Sequence, residues 1–501
     1  MASFKKFLEE YKRSKLGVVG VVIVVFFAIL AISAPLLTNE NPIYSQNLAS
    51  PLSVPAWAKV FPQYRNLPLN SQLLKDPSFS QQAQSAWFIA SDDAGGGSVS
   101  YQITNKGLVV NITPPQNPYA PQPVLVLNQS FYYPWSYTCD FKLYLNVTPL
   151  SSNFSSDELI VNAFLKSVDG TVYHVLGPSV YTDPTSSTEY YPKFLKSHSY
   201  VIFASSKDPF VNLLATGTIF PTNLGSCGLA QAVFRHPGNA SVSITIAATK
   251  KASILVSNVN LRIQGSAFGV LGTDDLGRSV WSQFVYGARV SLAVGLVAAL
   301  IAVVIGTLVG LVAGYVGGLV DELLMRFTDF MLTIPFLPFV LILLTIIQVA
   351  QIRIVNQEFV ILILIAIFSW QGIARIIRSQ VLSIKERPFV EASKALGASS
   401  AHIIWRHILP NVMGLVYANM ALTVPSAILI EAALTFLGFG DPNIISWGTM
   451  LSNAQASLTA QHAFVWWWFL PPGIAIAVLS MAFIFIGFSL DAILNPKLRK
   501  R

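Results

Sequence analysis

Charge is what this chain has least of. Asp, Glu, Lys and Arg make up 11% of its 501 residues, against roughly a quarter in an ordinary soluble protein. With 53% of residues hydrophobic and a mean hydropathy of +0.55, the chain belongs in a bilayer. Cysteine is nearly missing too, Cys139 and Cys227 being the only two. Two thiols are too few for a zinc cluster, and the six histidines show no metalloprotease spacing, so no metal site is expected. No Gly-x-x-x-x-Gly-Lys-Ser/Thr phosphate loop occurs, which argues against ATP hydrolysis by the chain itself. No convincing set of nucleophile, base and oxyanion donors is present, so no catalytic residue or directly bound cofactor is expected.

What is present is a series of long apolar runs. The first, Leu16 to Leu37, follows Lys5, Lys6, Lys12, Arg13 and Lys15. It is about as long as a span needs, roughly 20 residues, and exceeds a signal-peptide core, so it reads as an anchor. Further spans are expected near 290–316, 329–350, 357–376, 411–437 and 465–490, six in all, with both termini on one side. Arg326, Arg375, Arg378, Lys385, Arg387, Lys394, Arg406 and the tail's Lys497, Arg499, Lys500 and Arg501 fall on that side, while the short loops opposite hold only Arg353. The positive-inside rule then makes the termini and the segment around 385–410 cytoplasmic. The net charge of +8 is thus a topology signal beside membrane lipid, and no nucleic-acid partner is expected.

Between 38 and 265 the composition shifts to Ser, Thr, Asn, Pro, Gln and aromatics, and apolar residues alternate. Val99, Tyr101 and Ile103 do so, as do Phe141, Leu143, Leu145 and Val147, and Val242, Ile244 and Ile246. These are strands with one buried face. Asp169-Gly170 reads as a hairpin turn. An inserted, sandwich-like all-β ectodomain is expected over 38–265. Every Asn-X-Ser/Thr triplet lies in it, at Asn111, Asn128, Asn146, Asn153 and Asn239, which fits an exterior location, although a segment this rich in Asn, Ser and Thr also produces such triplets by chance. Cys139 and Cys227 also lie there; a disulfide between them and two separately buried thiols both remain open.

Residues 272–289 interleave Asp274, Asp275, Arg278 and Arg289 with Val280, Trp281, Phe284 and Gly287, which would share a helix face lying flat at the outer interface. Asp274 and Asp275 diverge as neighbours and lack a third ligand, so helix-start capping and partner docking are expected rather than metal binding. Gly306, Gly310 and Gly314 line one face of the second span and permit close helix packing, within the chain or against a second subunit. Pro335 and Pro338 should kink the third span. Glu431, inside a late apolar run, is expected to be structural, and Trp466, Trp467 and Trp468 to form an interfacial belt. Residues 444–458 read as a short interfacial or re-entrant piece.

The most informative stretch is Glu391-Ala392-Ser393-Lys394-Ala395-Leu396-Gly397, followed by Trp405-Arg406-His407-Ile408-Leu409-Pro410-Asn411. Pro388 suits a helix start, Gly397 ends the helix, and Pro410 opens the next one. The small residues allow another protein surface to approach, with Phe389, Leu396, Ile403 and Ile404 as apolar anchors. This stretch resembles the coupling loop of ABC importer permeases. Together with Gly272 to Arg278, Tyr286 to Leu292, Glu431 to Gly438 and Ser446-Trp447-Gly448, it resembles the C-type permease subunit of dipeptide and oligopeptide importers. The resemblance covers 1–37 and about 268–501. Two positions depart from the wider pattern: Ser393 stands for the second Ala of the loop's triplet, and His407 stands where many families have Ile.

The resemblance implies a type I importer fold of six transmembrane helices: 1–37 as N-terminus and first helix, 266–501 as a five-helix core with the loop at about 385–410. It implies a plasma-membrane transport subunit working with a B-type permease, two cytosolic ATPase subunits that carry ATP and Mg, and an extracellular solute-binding protein. Glu391, Ala392, Ser393, Gly397 and Ala398 are then expected to couple to the ATPase, and peptides to be the cargo. An oligosaccharide cargo remains open. A membrane-anchored receptor or adhesin, and an ectoenzyme, fit six spans and this loop less well.

Overall fold

The computed structural model describes residues 10–80, 83–136, 138–150, 159–177, 200–206, 211, 215, 228–350, 356–461 and 464–494. Cys227, Asn153, Arg353 and the flanking cations Lys5, Lys6 and Lys497 to Arg501 lie outside these residues. The chain forms two compact units, Gln46–Arg278 and Met1–Ser45 with Ser279–Arg501. The insert thus begins and ends later than 38 and 265. The reason lies in the turn around 274–278, which the β unit claims: Asn47 N donates to Leu276 O (3.1 Å), Leu48 N to Gly277 O (2.9 Å) and Leu52 N to Asp274 O (2.8 Å).

The β unit is an antiparallel sandwich. One sheet runs β3 (Ser98–Thr104), β4 (Gly107–Thr113), β11 (Ala252–Gln264), β6 (Asp140–Pro149) and β9 (Tyr200–Ser205), with β1 (Ser71–Gln72) also on β11. The other runs β2 (Phe88–Asp92), β5 (Val124–Tyr133), β10 (Gly238–Ala248), β7 (Leu159–Lys166) and β8 (Val172–Leu176). Alternation sets the faces: Val242, Ile244 and Ile246 are buried, while Ser241, Ser243 and Thr245 face outward. Strand β11 breaks its own alternation, burying Ile254 and Val256 and then Val259, Leu261 and Ile263. A bulge between Val256 and Asn258 absorbs that change of phase, without which one apolar set would face water. The expected hairpin joins β7 to β8, with Gly170 at φ +91° and Thr171 N donating to Asp169 Oδ1 (3.0 Å).

The second unit is helical. Its spans include α1 (Lys15–Ile32), α2 (Val280–Val316), and α3 (Gly318–Thr333) with α4 (Phe336–Val349). Next come α5 (Gln357–Ile367), α6 (Gln371–Lys385), α7 (Pro388–Ala395), α8 (Leu409–Leu434), α9 (Trp447–Gln461) and α10 (Trp466–Leu494). Among the described residues five helices are long and apolar enough to cross a membrane, or six when α3 and α4, bent by 76°, count as one. The break falls at Ile334 and Pro335, and Pro338 sits in the first turn of α4, where a missing N–H costs nothing. The third span is therefore a sharply broken pair rather than a kinked rod.

Three further expectations change. Gly272 to Arg278 is a turn, and the helix starts at Val280 under Ser279, whose hydroxyl accepts from Ser282 N (3.3 Å). Asp274 instead closes its own turn, accepting from Leu276 N (2.9 Å) and Arg278 N (2.8 Å) and pairing with Arg278 Nε (2.5 Å). Burial and the adjacent Asp274 raise the Asp275 carboxyl above the usual range. The face of Val280, Phe284 and Gly287 packs inside the bundle, where Phe284 stacks on Trp447 at 5.9 Å and Trp447 Nε1 donates to Phe284 O (3.0 Å). Trp467 and Trp468 are likewise buried, which leaves Trp466 as the half-exposed member of that triplet.

Candidate functional site

The elbow between α6 and α8 is built by local rules. Pro388 occupies the first position of α7 after the extended Arg387, and Glu391 lies in its first turn, where the helix dipole favours an acid. Gly397 then takes φ +80°. Its N–H donates to Lys394 O (3.0 Å) and that of Ala398 to Ser393 O (3.1 Å), the paired bonds of a Schellman ending. Ser399 restarts the chain, its hydroxyl accepting from His402 N (3.3 Å). A π-type turn at Ile404–Ile408, with Leu409 N reaching Ile404 O, leads into α8.

The elbow has two faces. Val390, Ile403 and Ile408 are buried in one core with Val303 and Leu311 of α2 and Ile377, Val381 and Ile384 of α6. Glu391, Ala392, Lys394, Ala395 and Gly397 are exposed, Ser393 and Ala398 half-buried, and Leu396 is 89% exposed. Of the four expected apolar anchors, Phe389 and Leu396 are exposed, Ile404 is half-buried and Ile403 is buried in the core beside Val390. Helical spacing from Pro388 places Val390 and Ser393 on one face, a signal present in the sequence, whereas Leu396 is the C-cap at which α7 ends.

The base beneath the elbow is braced. Asp321 of α3 accepts two bonds from Arg378 of α6, at 2.5 Å each. Arg375 pairs with Asp329, and Lys394 Nζ lies 5.5 Å from the Tyr315 ring centre. Gly306, Gly310 and Gly314 pack against the segment from Trp370 to Val381, where an added Cβ would meet Trp370 O at 2.6 Å, Ala374 O at 2.6 Å and the Val381 side chain at 2.7 Å. The stripe is used within the chain.

Glu431 is fully buried, and its Oε2 accepts from Ser291 Oγ (3.2 Å), which itself accepts from Trp447 N (3.2 Å). One carboxylate thus ties α8 to α2 and, through Ser291, to α9. Glu358 of α5, 4% exposed and accepting from Asp441 N at 3.4 Å, joins this polar interior; nothing in its sequence context marked it. In the β unit Asn111 and Asn239 are exposed, Asn128 and Asn146 half-buried in mid-strand, and Cys139 is disulfide-bonded.

A bundle of apolar helices closed by glycines, with a rigid two-faced elbow on its surface, defines a multi-pass membrane permease fold. Residues 306–500 match the family model described as "Binding-protein-dependent transport system inner membrane component", and residues 4–53 match the "N-terminal TM domain of oligopeptide transport permease C". The oligopeptide transport system permease protein OppC of Bacillus subtilis (strain 168) is 39% identical over 230 residues, 46% of this chain and 72% of that one. The dipeptide transport system permease protein DppC of the same organism is 40% identical over 230 residues, 46% and 69% of the two chains. The chain belongs to this family of transport permease subunits, in its C-type oligopeptide and dipeptide branch. A solved MetNI methionine ABC transporter overlaps 43% of this chain and 95% of its own at 18% identity, with a TM-score of 0.34, too low to add to the assignment.

Proposed function

We propose that the chain is one of two permeases lining the path of an ATP-driven peptide importer. The termini and the elbow are cytoplasmic, and the β unit is extracellular. A related B-type permease completes the path, two cytosolic ATPase subunits carrying ATP and Mg drive it, and a solute-binding protein delivers the cargo. The observation that carries this reading is the elbow: its inner face is fixed in the core of α2 and α6, and its outer face offers small residues and one exposed leucine. ATP-driven closure of the ATPases displaces that outer face, with the exposed Glu391, Ala392 and Gly397 at the contact and the half-buried Ser393 and Ala398 bordering it, and the spans rock between outward and inward openings. Peptide as cargo is supported by the similarity to OppC and DppC.

The test is reconstitution of the four-part complex in vesicles with binding protein loaded with a peptide or with an oligosaccharide. Peptide-loaded protein is expected to stimulate ATP hydrolysis and uptake. Stimulation by the oligosaccharide form alone would replace peptide with sugar as the cargo, and stimulation by neither would refute the importer reading.

A further inference from the structure

We propose that His407 is the positioning residue that locks α7 to the start of α8, so that displacement of the exposed elbow face reaches the transmembrane helix. This rests on the coupling role proposed above. The covalent link between the two helices runs through the turn at 396–399 and the helical residues Ser400–Ile403 and Ile404–Ile408 that continue into α8; the backbone bonds of the turn, Gly397 N to Lys394 O and Ala398 N to Ser393 O, reach back into α7. Such a turn fixes where two helices join, and their mutual angle depends on what packs across it.

Two sets of contacts cross it. One is apolar, Val390 against the core that holds Ile403 and Ile408. The other is His407. It lies in the π-type turn Ile404–Ile408, and one residue added to a helical turn rotates everything after it by about 100°. In that position His407 Nε2 lies 3.3 Å from Ser393 Oγ. Ser393 Oγ also lies 2.9 Å from Phe389 O, a pure acceptor, so the single hydroxyl proton goes there. His407 Nε2 must then be the donor to Ser393, which orients the ring. The same ring has Phe389 at 6.3 Å and His402 at 5.8 Å between centroids, and Asn411 Nδ2 holds the His407 carbonyl at 2.6 Å. His407 therefore meets α7, the short helix Ser400–Ile403 and α8 at once.

The test uses the reconstituted complex and reads peptide moved per ATP hydrolysed for wild type, Ser393→Ala, His407→Ala, the double variant and His407→Gln. A net hydrogen bond changes an equilibrium by a factor of about five, so each alanine variant is expected to lower the ratio about fivefold. The double variant should be no worse than the lower single, because the two residues act as one pair, and His407→Gln, whose amide donor reaches Ser393, should stay within about twofold of wild type. A residue that merely filled space would change the yield of assembled complex and leave the ratio alone. A wild-type ratio in His407→Ala, or losses that multiply in the double variant, would overturn the proposal. A second measurement stands apart from transport: spin labels at Ala395→Cys and Trp405→Cys should show a broadened distance distribution in His407→Ala, and an unchanged width would overturn the lock. Absence of ATP-driven uptake in the wild type would refute the importer reading instead, with the label distances still deciding the geometry.

Discussion

The sandwich and the helical bundle expose opposite things. The sandwich hides Leu127, Leu143, Ile244 and Leu261 and turns Ser241, Ser243 and Thr245 outward; the bundle exposes Val22, Phe26, Leu300 and Ile342 and closes on Gly306, Gly310 and Ser291. In water a sheet is stabilised by removing apolar area from solvent, about 25 cal/mol per Å². Between helices in lipid that term vanishes, and close backbone approach with a few hydrogen bonds replaces it. Leucine is thus core in the sandwich, while in the bundle it is core at Leu311 and outer surface at Leu300.

The sharpest way to break this contrast is Gly310→Leu. Its first added carbon would already lie 2.6 Å from Ala374 O, so the helices must separate, and loss of the monodisperse protein after detergent extraction is the expected result. Normal extraction would show that backbone approach does not hold the bundle. Next comes Ile244→Ala, which should destabilise the sandwich by about 2–5 kcal/mol, read by urea-dependent proteolysis of segment 46–278. Ile342→Ala, at a side chain 62% exposed, should stay within about 0.5 kcal/mol; equal effects at the two sites would erase the distinction.

An effect smaller than that at Ile244 is expected at Gly170, where φ is +91° and a Cβ would meet nothing within 4 Å. Gly170→Ala should cost about 1 kcal/mol from backbone strain alone, visible as a shift in the same proteolysis midpoint. The smallest concerns His174, stacked on Phe164 at 4.5 Å, whose pKa burial holds below the ordinary histidine value. The unfolded chain then takes up this proton first as pH falls. The contribution is complete above the unfolded value of about 6.5 and is lost between that and the lower folded value. His174→Phe should flatten this part of the sandwich's acid sensitivity, and an unchanged pH profile would show that His174 does not set it.

Much of this was legible in the sequence because two periodicities dominate it. Alternation at Phe141 to Val147 and Val242 to Ile246 gave the strand faces, and the spacing of Gly306, Gly310 and Gly314 gave a packing stripe, though not its partner. The misses share a cause. Val280, Phe284 and Gly287 are amphipathic whether their polar side meets lipid headgroups or their apolar side meets Trp447, and only tertiary contacts separate the two. Likewise Trp467 and Trp468 have the composition of a belt but the positions of a core. Turn 274–278 looked like a helix start because capping residues and turn residues are the same few types. At the elbow, motif spacing located the exposed face, while the inner anchor Val390 needed the helix phase as well.

The claim on which the account turns is that the exposed elbow face receives ATP-driven motion, and Gly397→Asp tests it most directly. The site has φ +80° and nothing within 4 Å of an added Cβ, so the local cost is only about 1 kcal/mol and membrane insertion should survive. In reconstituted vesicles the account predicts about a tenfold fall in peptide moved per ATP hydrolysed, the change that 1.4 kcal/mol of lost coupling produces. A variant that inserts, assembles and imports peptide at the wild-type ratio would contradict it.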